Sequence, residues 1–249
     1  MLSMICAFTM VYCMLLIFVG VIILHARKSD ILLRAYGLDI SASLITWVPW
    51  GLSFYLFGFL GLVGSFVAQF FFLSTFSFVH ARLHNYKGPT IKSALNKIVG
   101  VFRNHIGLVI SLFALPVFWI VRLGEIIIYP LLIWTLGFPK YKQDEWINIS
   151  RHKFEGLVGH DLIWCLYCDW MTGIYSLGGE MLRNVESFWC PIRFYDGKKC
   201  ENCKTDFPDI EKWIPMDGTI SDVTALLKEK YPIKSKEPRG WFGHPDRKI

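Results

Sequence analysis

Residues 40–79 read ISASLITWVPWGLSFYLFGFLGLVGSFVAQFFFLSTFSFV, forty residues without an Asp, Glu, Lys or Arg. A water-soluble core does not require so long an uncharged run, whereas a hydrocarbon slab about 30 Å thick takes roughly 20 apolar residues per helix. Forty residues of straight helix would reach about 60 Å, too far for one crossing. The run is therefore either a hairpin of two spans turning near Gly58, Gly61 and Gly64, or an interfacial piece leading into one span. Pro49, between Trp47 and Trp50, reads as a bend at an interface. No polar turn marks a reversal, and both forms stay open.

Working outward, residues 4–24 are also uncharged, and residues 4–25 have the length of a first span. No basic segment precedes them and no A-x-A-like site follows, so the run reads as a permanent helix rather than a cleaved leader. Arg27, Lys28 and Arg34 come after it, which puts the N-terminus outside and residues 26–40 in the cytoplasm. Residues 106–139 are apolar again, interrupted by Arg122 and Glu125. Three apart, these two share a helix face and pair. Pro116 and Pro130 favour broken helices. The two readings are a pair of short segments, 106–121 and 126–138, with the charges at a headgroup surface, or a buried functional pair. Between the long runs, residues 88–104 set Ile91, Leu95, Ile98, Val99 and Phe102 at helical spacing with Lys92, Lys97 and Arg103 among them. That pattern predicts an amphipathic basic helix, lying on an anionic leaflet or packed on neighbouring spans.

Charge divides the 249 residues as the apolar runs do. Residues 1–139 hold nine basic and three acidic residues, the whole net charge of +6, while residues 140–249 hold seventeen of each. The basic excess belongs to membrane loops, where it suits orientation and anionic headgroups. No basic stripe interleaved with stacking aromatics is present, so nucleic acid is not an expected partner. The topology that satisfies every basic loop places residues 26–40, 81–105 and 140–249 in the cytoplasm.

The second half holds the clearest chemical signal. Cys165 and Cys168 form one C-x-x-C pair and Cys200 and Cys203 another. Two pairs supply four thiolates, enough for a tetrahedral site. Lys198, Lys199 and Lys204 around the second pair favour thiolate; Cys190 and His160 are possible substitutes as ligands. Zinc in a structural role is the expected metal. Lys204 and Asp169 stand where a rubredoxin-type site has glycine, which disfavours iron. Buried thiols and disulfides are the plainer alternatives. Asp161 and Asp169 bracket the first pair and are candidates to orient it.

Two further clusters carry weaker signals. His80 and His84, at i and i+4, share a helix face where the first long run meets water, a geometry that suits a metal or haem. Glu180, Arg183 and Glu186 make a ladder at three-residue spacing, a set of ion pairs or a carboxylate site. The apolar stretch 154–188 reads as helix broken by Gly173 and by Gly178-Gly179 and ended at Cys190-Pro191. Residues 195–218 are turn-rich, and residues 219–231 read as a short helix capped by Ser221. There is no glycine-rich phosphate loop, G-x-S-x-G or H-E-x-x-H.

The expected fold is an α-helical multi-pass membrane protein, residues 1–139, carrying a small α-rich, loop-rich metal-binding soluble domain, residues 140–249. The expected function is that of an integral inner- or plasma-membrane accessory or structural subunit, or assembly factor, of a larger membrane complex, with the bilayer and other membrane subunits as partners. The alternatives are a redox subunit with iron at the cysteines or haem at His80 and His84, and a membrane enzyme using Glu180 and Glu186.

Overall fold

The computed structural model describes residues 29–193, 195–198, 208–233 and 236–240, and these are mostly helical, with two isolated bridges and no strand among them. The expected first span, residues 4–25, lies outside the described residues. The principal helices are α1 (Ala35–Ile45), α2 (Trp47–Leu83), α3 (Ile91–Val99), α4 (Val101–Leu112), α5 (Leu115–Leu123), α6 (Tyr129–Leu136), α7 (Gly159–Trp189) and α8 (Ile220–Lys230). A π-turn, Gly124–Ile128, joins α5 to α6. Two stretches, Ala35–Leu83 and Val101–Leu136, are long and apolar enough to cross a membrane. The chain divides into two compact units, Met1–Leu115 with Gln143–Gly173, and Pro116–Lys142 with Ile174–Ile249; each draws on both halves of the sequence.

The first unit resolves the forty-residue run. Within α2 the backbone leaves helical values at Gly58, φ 62 and ψ −150, a region open essentially only to glycine. There the chain folds back on itself. The Trp50 indole Nε1 donates to Gln69 Oε1 at 2.7 Å, and Gln69 Nε2 donates to the Ile45 carbonyl at 2.6 Å. In a continuous helix Ile45 and Gln69 would lie about 36 Å apart. The arms meet on small residues: apart from Pro49, the buried positions are Ser53, Gly61, Gly64, Ser65 and Ala68, the small-residue packing that lets helix backbones approach in an apolar medium. A Cβ at Gly61 would fall on the Ser53 carbonyl. Of the two forms the sequence allowed, the hairpin is the one adopted.

Both ends of this hairpin dock on one polar segment. The Ala35 amide donates to the Ile147 carbonyl at 2.7 Å and the Ile149 amide to the Leu33 carbonyl at 2.8 Å. Trp170 Nε1 lies 3.4 Å from Asp39 Oδ1, and the Gly159 amide donates to His80 Nδ1 at 3.2 Å. Gly173 approaches so closely that a Cβ there would stand 2.7 Å from the Trp146 carbonyl oxygen.

The expected amphipathic helix over 88–104 is two helices instead. Gly100, at φ 88, ends α3 and precedes α4. The long helix expected to break at its glycines does the reverse: α7 runs unbroken through Gly173, Gly178 and Gly179. At Gly173 and Gly178 the missing side chain admits a close neighbour, which explains glycine without a break.

In the second unit α7 ends at Trp189, before Cys190-Pro191, as expected. Its core gathers Trp119, Tyr129, Phe138, Leu177, Met181 and Trp213. The Arg239 amide and guanidinium donate to the carbonyls of Gly137 and Leu136 at 2.8 and 2.7 Å, tying the C-terminal segment to the end of α6. Helix α8 is capped by Thr219 rather than Ser221: Thr219 Oγ1 accepts from the Asp222 amide and the Asp222 carboxylate accepts from the Thr219 amide, a reciprocal box. The Thr219 hydroxyl, donating to Asp222 Oδ2 at 2.7 Å, and then the Thr219 amide hold the Asp222 carboxyl below the usual carboxylate range.

Candidate functional site

The second unit contains a buried polar cluster. Arg122, in the last turn of α5, donates through Nη1 to Glu125 Oε2 at 2.7 Å, and both side chains are buried. The pairing expected from their spacing is therefore present, inside the fold rather than at an exposed surface. Glu125 sits in the π-turn, a wide turn that recurs at functional sites and redirects the side chains within it. Gly178 makes room for this carboxylate, since a Cβ there would stand 3.2 Å from Glu125 Oε1 and 2.9 Å from Val121 Cγ1.

One turn further along α7 the cluster continues. Asn184, fully buried, donates from Nδ2 to the hydroxyl oxygens of Tyr141 at 2.6 Å and Tyr129 at 3.1 Å. The Tyr141 hydroxyl donates onward to Glu180 Oε1 at 3.4 Å. Arg183 pairs with Glu186 at 2.8 Å, and its guanidinium lies 5.5 Å from the Trp213 ring centroid, within cation–π range. The ladder of Glu180, Arg183 and Glu186 is thus split: Glu180 enters the tyrosine–asparagine network, while Arg183 and Glu186 pair with each other. A hollow of about 320 Å³ at the base of α8 and one of about 70 Å³ beside α3 are lined by none of these residues. The arrangement links helices through buried polar contacts, a role that specifies one packing.

The cysteine and histidine candidates fall elsewhere. Cys165 and Cys168 lie one turn apart in the first half of α7, half-buried and without a disulfide. Burial pushes the Cys165 thiol up, against an opposing pull from Arg151. Cys200 and Cys203 lie outside the described residues. Cys190 is exposed and follows the end of α7. Among the described residues no group of three or more His, Cys, Asp or Glu side chains is arranged to hold a metal. His160 Nε2 accepts from Trp164 Nε1 at 3.1 Å, and Nδ1 stands 3.5 Å from Asp161 Oδ1. Burial, with help from Lys92, pushes its imidazole below the usual histidine range.

Asp161 and Asp169 do not turn toward the cysteines. Asp161 accepts from the Ile91 and Lys92 amides at 2.6 and 3.1 Å, at the start of α3. Asp169 accepts from the Ser150 and Arg151 amides at 2.8 and 3.0 Å. Free amides at helix starts compete for carboxylates more strongly than thiols do. His80 and His84 stack with ring centroids 4.0 Å apart and planes 21° apart. His80 Nδ1 accepts from the Gly159 amide at 3.2 Å.

The chain matches no family model, no curated protein and no solved structure. The site therefore has to be read from its own residues. Tyr129, Tyr141 and Asn184 escaped the sequence reading because each is unremarkable alone. The available signal was Asn184 at i+4 from Glu180, on the same helix face.

Proposed function

We propose that this chain is an integral membrane accessory subunit, or assembly factor, of a larger membrane complex, with a cysteine-ligated structural zinc in its C-terminal part. One observation carries the reading: polarity is inverted. Phe59 is 70% exposed and Trp134 83%, whereas Arg122 and Asn184 are 0% exposed. Water disfavours that distribution; a hydrocarbon solvent favours it, because apolar side chains face the solvent and polar groups must be satisfied internally. The described residues hold a buried structural network, as an accessory subunit would need to order its helices.

The hairpin supports the proposed topology. Both its ends join the segment 146–170, which supports a topology with residues 29–40, the loop after Leu83 and that segment on one side. The excess of basic residues in those loops assigns that side to the cytoplasm. For the metal, Cys165 and Cys168 fit two corners of a tetrahedral site: their sulfurs share a face of α7, in the thiol state, half-buried. Cys200 and Cys203 would supply the other two. Bound zinc supplies folding free energy here rather than reactivity.

The test is a metal analysis and visible spectrum of the full chain purified in mild detergent, beside a Cys200→Ser/Cys203→Ser variant. The reading expects about one colourless zinc per chain, loss of that zinc in the variant, and a fall in protein abundance that any partner's activity follows. Visible iron or haem absorption, or a variant of normal abundance that fails only in turnover, contradicts it in favour of a redox role.

A further inference from the structure

We infer that the α3–α4 elbow is a recognition surface for anionic phospholipid headgroups, seated in the interface with its apolar ridge among the acyl chains. This rests on the membrane reading above and adds which lipid class the protein selects, and with which residues.

The first observation is an exposed apolar face. Helix α3 has no buried residue. Its apolar positions Ile91, Leu95, Ile98 and Val99 fall within one stripe at helical spacing, and all are exposed. The ridge continues across Gly100 to Phe102, and Ile98 and Phe102 are each 76% exposed.

The second observation is charge. Lys92 borders the stripe, Lys97 is exposed on the outer face of α3, and Arg103 is exposed beside Phe102. From residue 40 to residue 124 the chain contains no acidic residue. An apolar ridge rimmed by cations complements an anionic leaflet: acyl chains take the ridge and headgroups take the rim. A partner protein with an acidic rim would need matched shape as well, and the hollow beside α3, about 70 Å³, is too small to seat a side chain of such a partner.

The third observation is that the surface is held rigid before any ligand arrives. Asp161 accepts from the amides of Ile91 and Lys92, and Thr90 Oγ1 accepts from the Ser93 amide. At the other end the Asn104 side chain donates to the Asn96 side chain at 2.8 Å across the bend. Gly100, at φ 88, is the residue that lets the bend form. A free amphipathic peptide would have to order itself on binding. This elbow presents its ridge already ordered, so less of the interaction is lost to entropy.

The test incorporates p-benzoylphenylalanine at position 102 of the full chain, in nanodiscs of phosphatidylcholine and phosphatidylserine mixed 7:3, and identifies photoadducts by mass spectrometry. A second variant carries the probe at position 59, in the hairpin, as a reporter of membrane embedding alone. The expected result is lipid adducts at both positions. At 102 they are enriched in phosphatidylserine over the mixing ratio, and Lys97→Gln with Arg103→Gln lowers that enrichment by about fivefold per charge removed. Lipid adducts at 59 with polypeptide adducts at 102, or phosphatidylserine at its mixing ratio at 102, overturn this inference and leave the membrane reading standing. Lipid adducts at neither position overturn both.

Discussion

Replacing Gly58 or Gly61 with alanine distinguishes a hairpin from a straight helix by the sign of the effect. In the interior of a continuous helix each Gly→Ala change stabilises by about 0.5–1 kcal/mol, because alanine loses less backbone freedom on folding. In the hairpin both changes destabilise, for different reasons. Nothing lies within 4 Å of a Cβ on Gly58, so the cost there is backbone strain alone. For a residue other than glycine at φ 62 and ψ −150 that is about 1–3 kcal/mol. At Gly61 the cost is steric. A Cβ would fall on the Ser53 carbonyl oxygen and stand 2.7 Å from the carbonyl carbon, where ordinary contact begins at 3.4 Å. The arms must part by at least about 0.7 Å, and backbone cannot yield as a side chain does. That overpacking costs about 1–3 kcal/mol. Weakening the two Gln69 hydrogen bonds, each worth about 0.6 kcal/mol in an apolar setting, brings the total to roughly 2–4 kcal/mol. The assay is dodecyl sulfate unfolding of the detergent-solubilised chain, followed by tryptophan fluorescence. Alanine variants as stable as the parent, or more so, would refute the reversal at Gly58.

Glu125→Gln leaves the buried Arg122 guanidinium without its carboxylate 2.7 Å away and is expected to cost about 3–5 kcal/mol, read as the same unfolding midpoint; a change under about 0.5 kcal/mol would deny the pair its structural part. His160 has a folded pKa below its ordinary value of 6.5. The unfolded chain therefore takes up the proton first, and stability falls as pH drops through 6.5 toward the folded value, then levels off. His160→Gln should flatten that part of a melting-temperature profile between pH 7.5 and 5.5; an unchanged slope assigns the acid sensitivity to other groups. In chelator, the exposed Cys190 should take iodoacetamide well before Cys165, whose thiol burial keeps protonated; peptide mapping of a time course showing the reverse order would contradict the burial of Cys165.

The long uncharged run allowed two folds, and the choice between them lay in spacing that hydropathy does not register. Gly58, Gly61, Gly64 and Ser65 leave the run uncharged, yet they decide where it turns and how closely its arms pack. Arg122 and Glu125 were readable because their interaction is local, three residues apart on one helix. The rest of the polar cluster was not, because Tyr129, Tyr141 and Asn184 are brought together across 55 residues of chain. Asp161 beside Cys165 suggested a ligand shell; tertiary structure brought the amides of α3 to it instead. Glycine misled twice in opposite directions. At Gly173 and Gly178 it admits a neighbour within an intact helix, whereas at Gly100 its positive φ divides what periodicity joined.

The most direct test of membrane embedding by the described helices is alkaline carbonate extraction of a chain lacking residues 1–28. That truncation removes the first uncharged run and leaves Ala35–Leu83 and Val101–Leu136 as the means of anchorage. The account predicts that the truncated chain stays in the membrane pellet at pH 11 as the full chain does. Quantitative release into the supernatant would contradict it, because the exposed faces of those helices would then be covered by protein rather than by lipid.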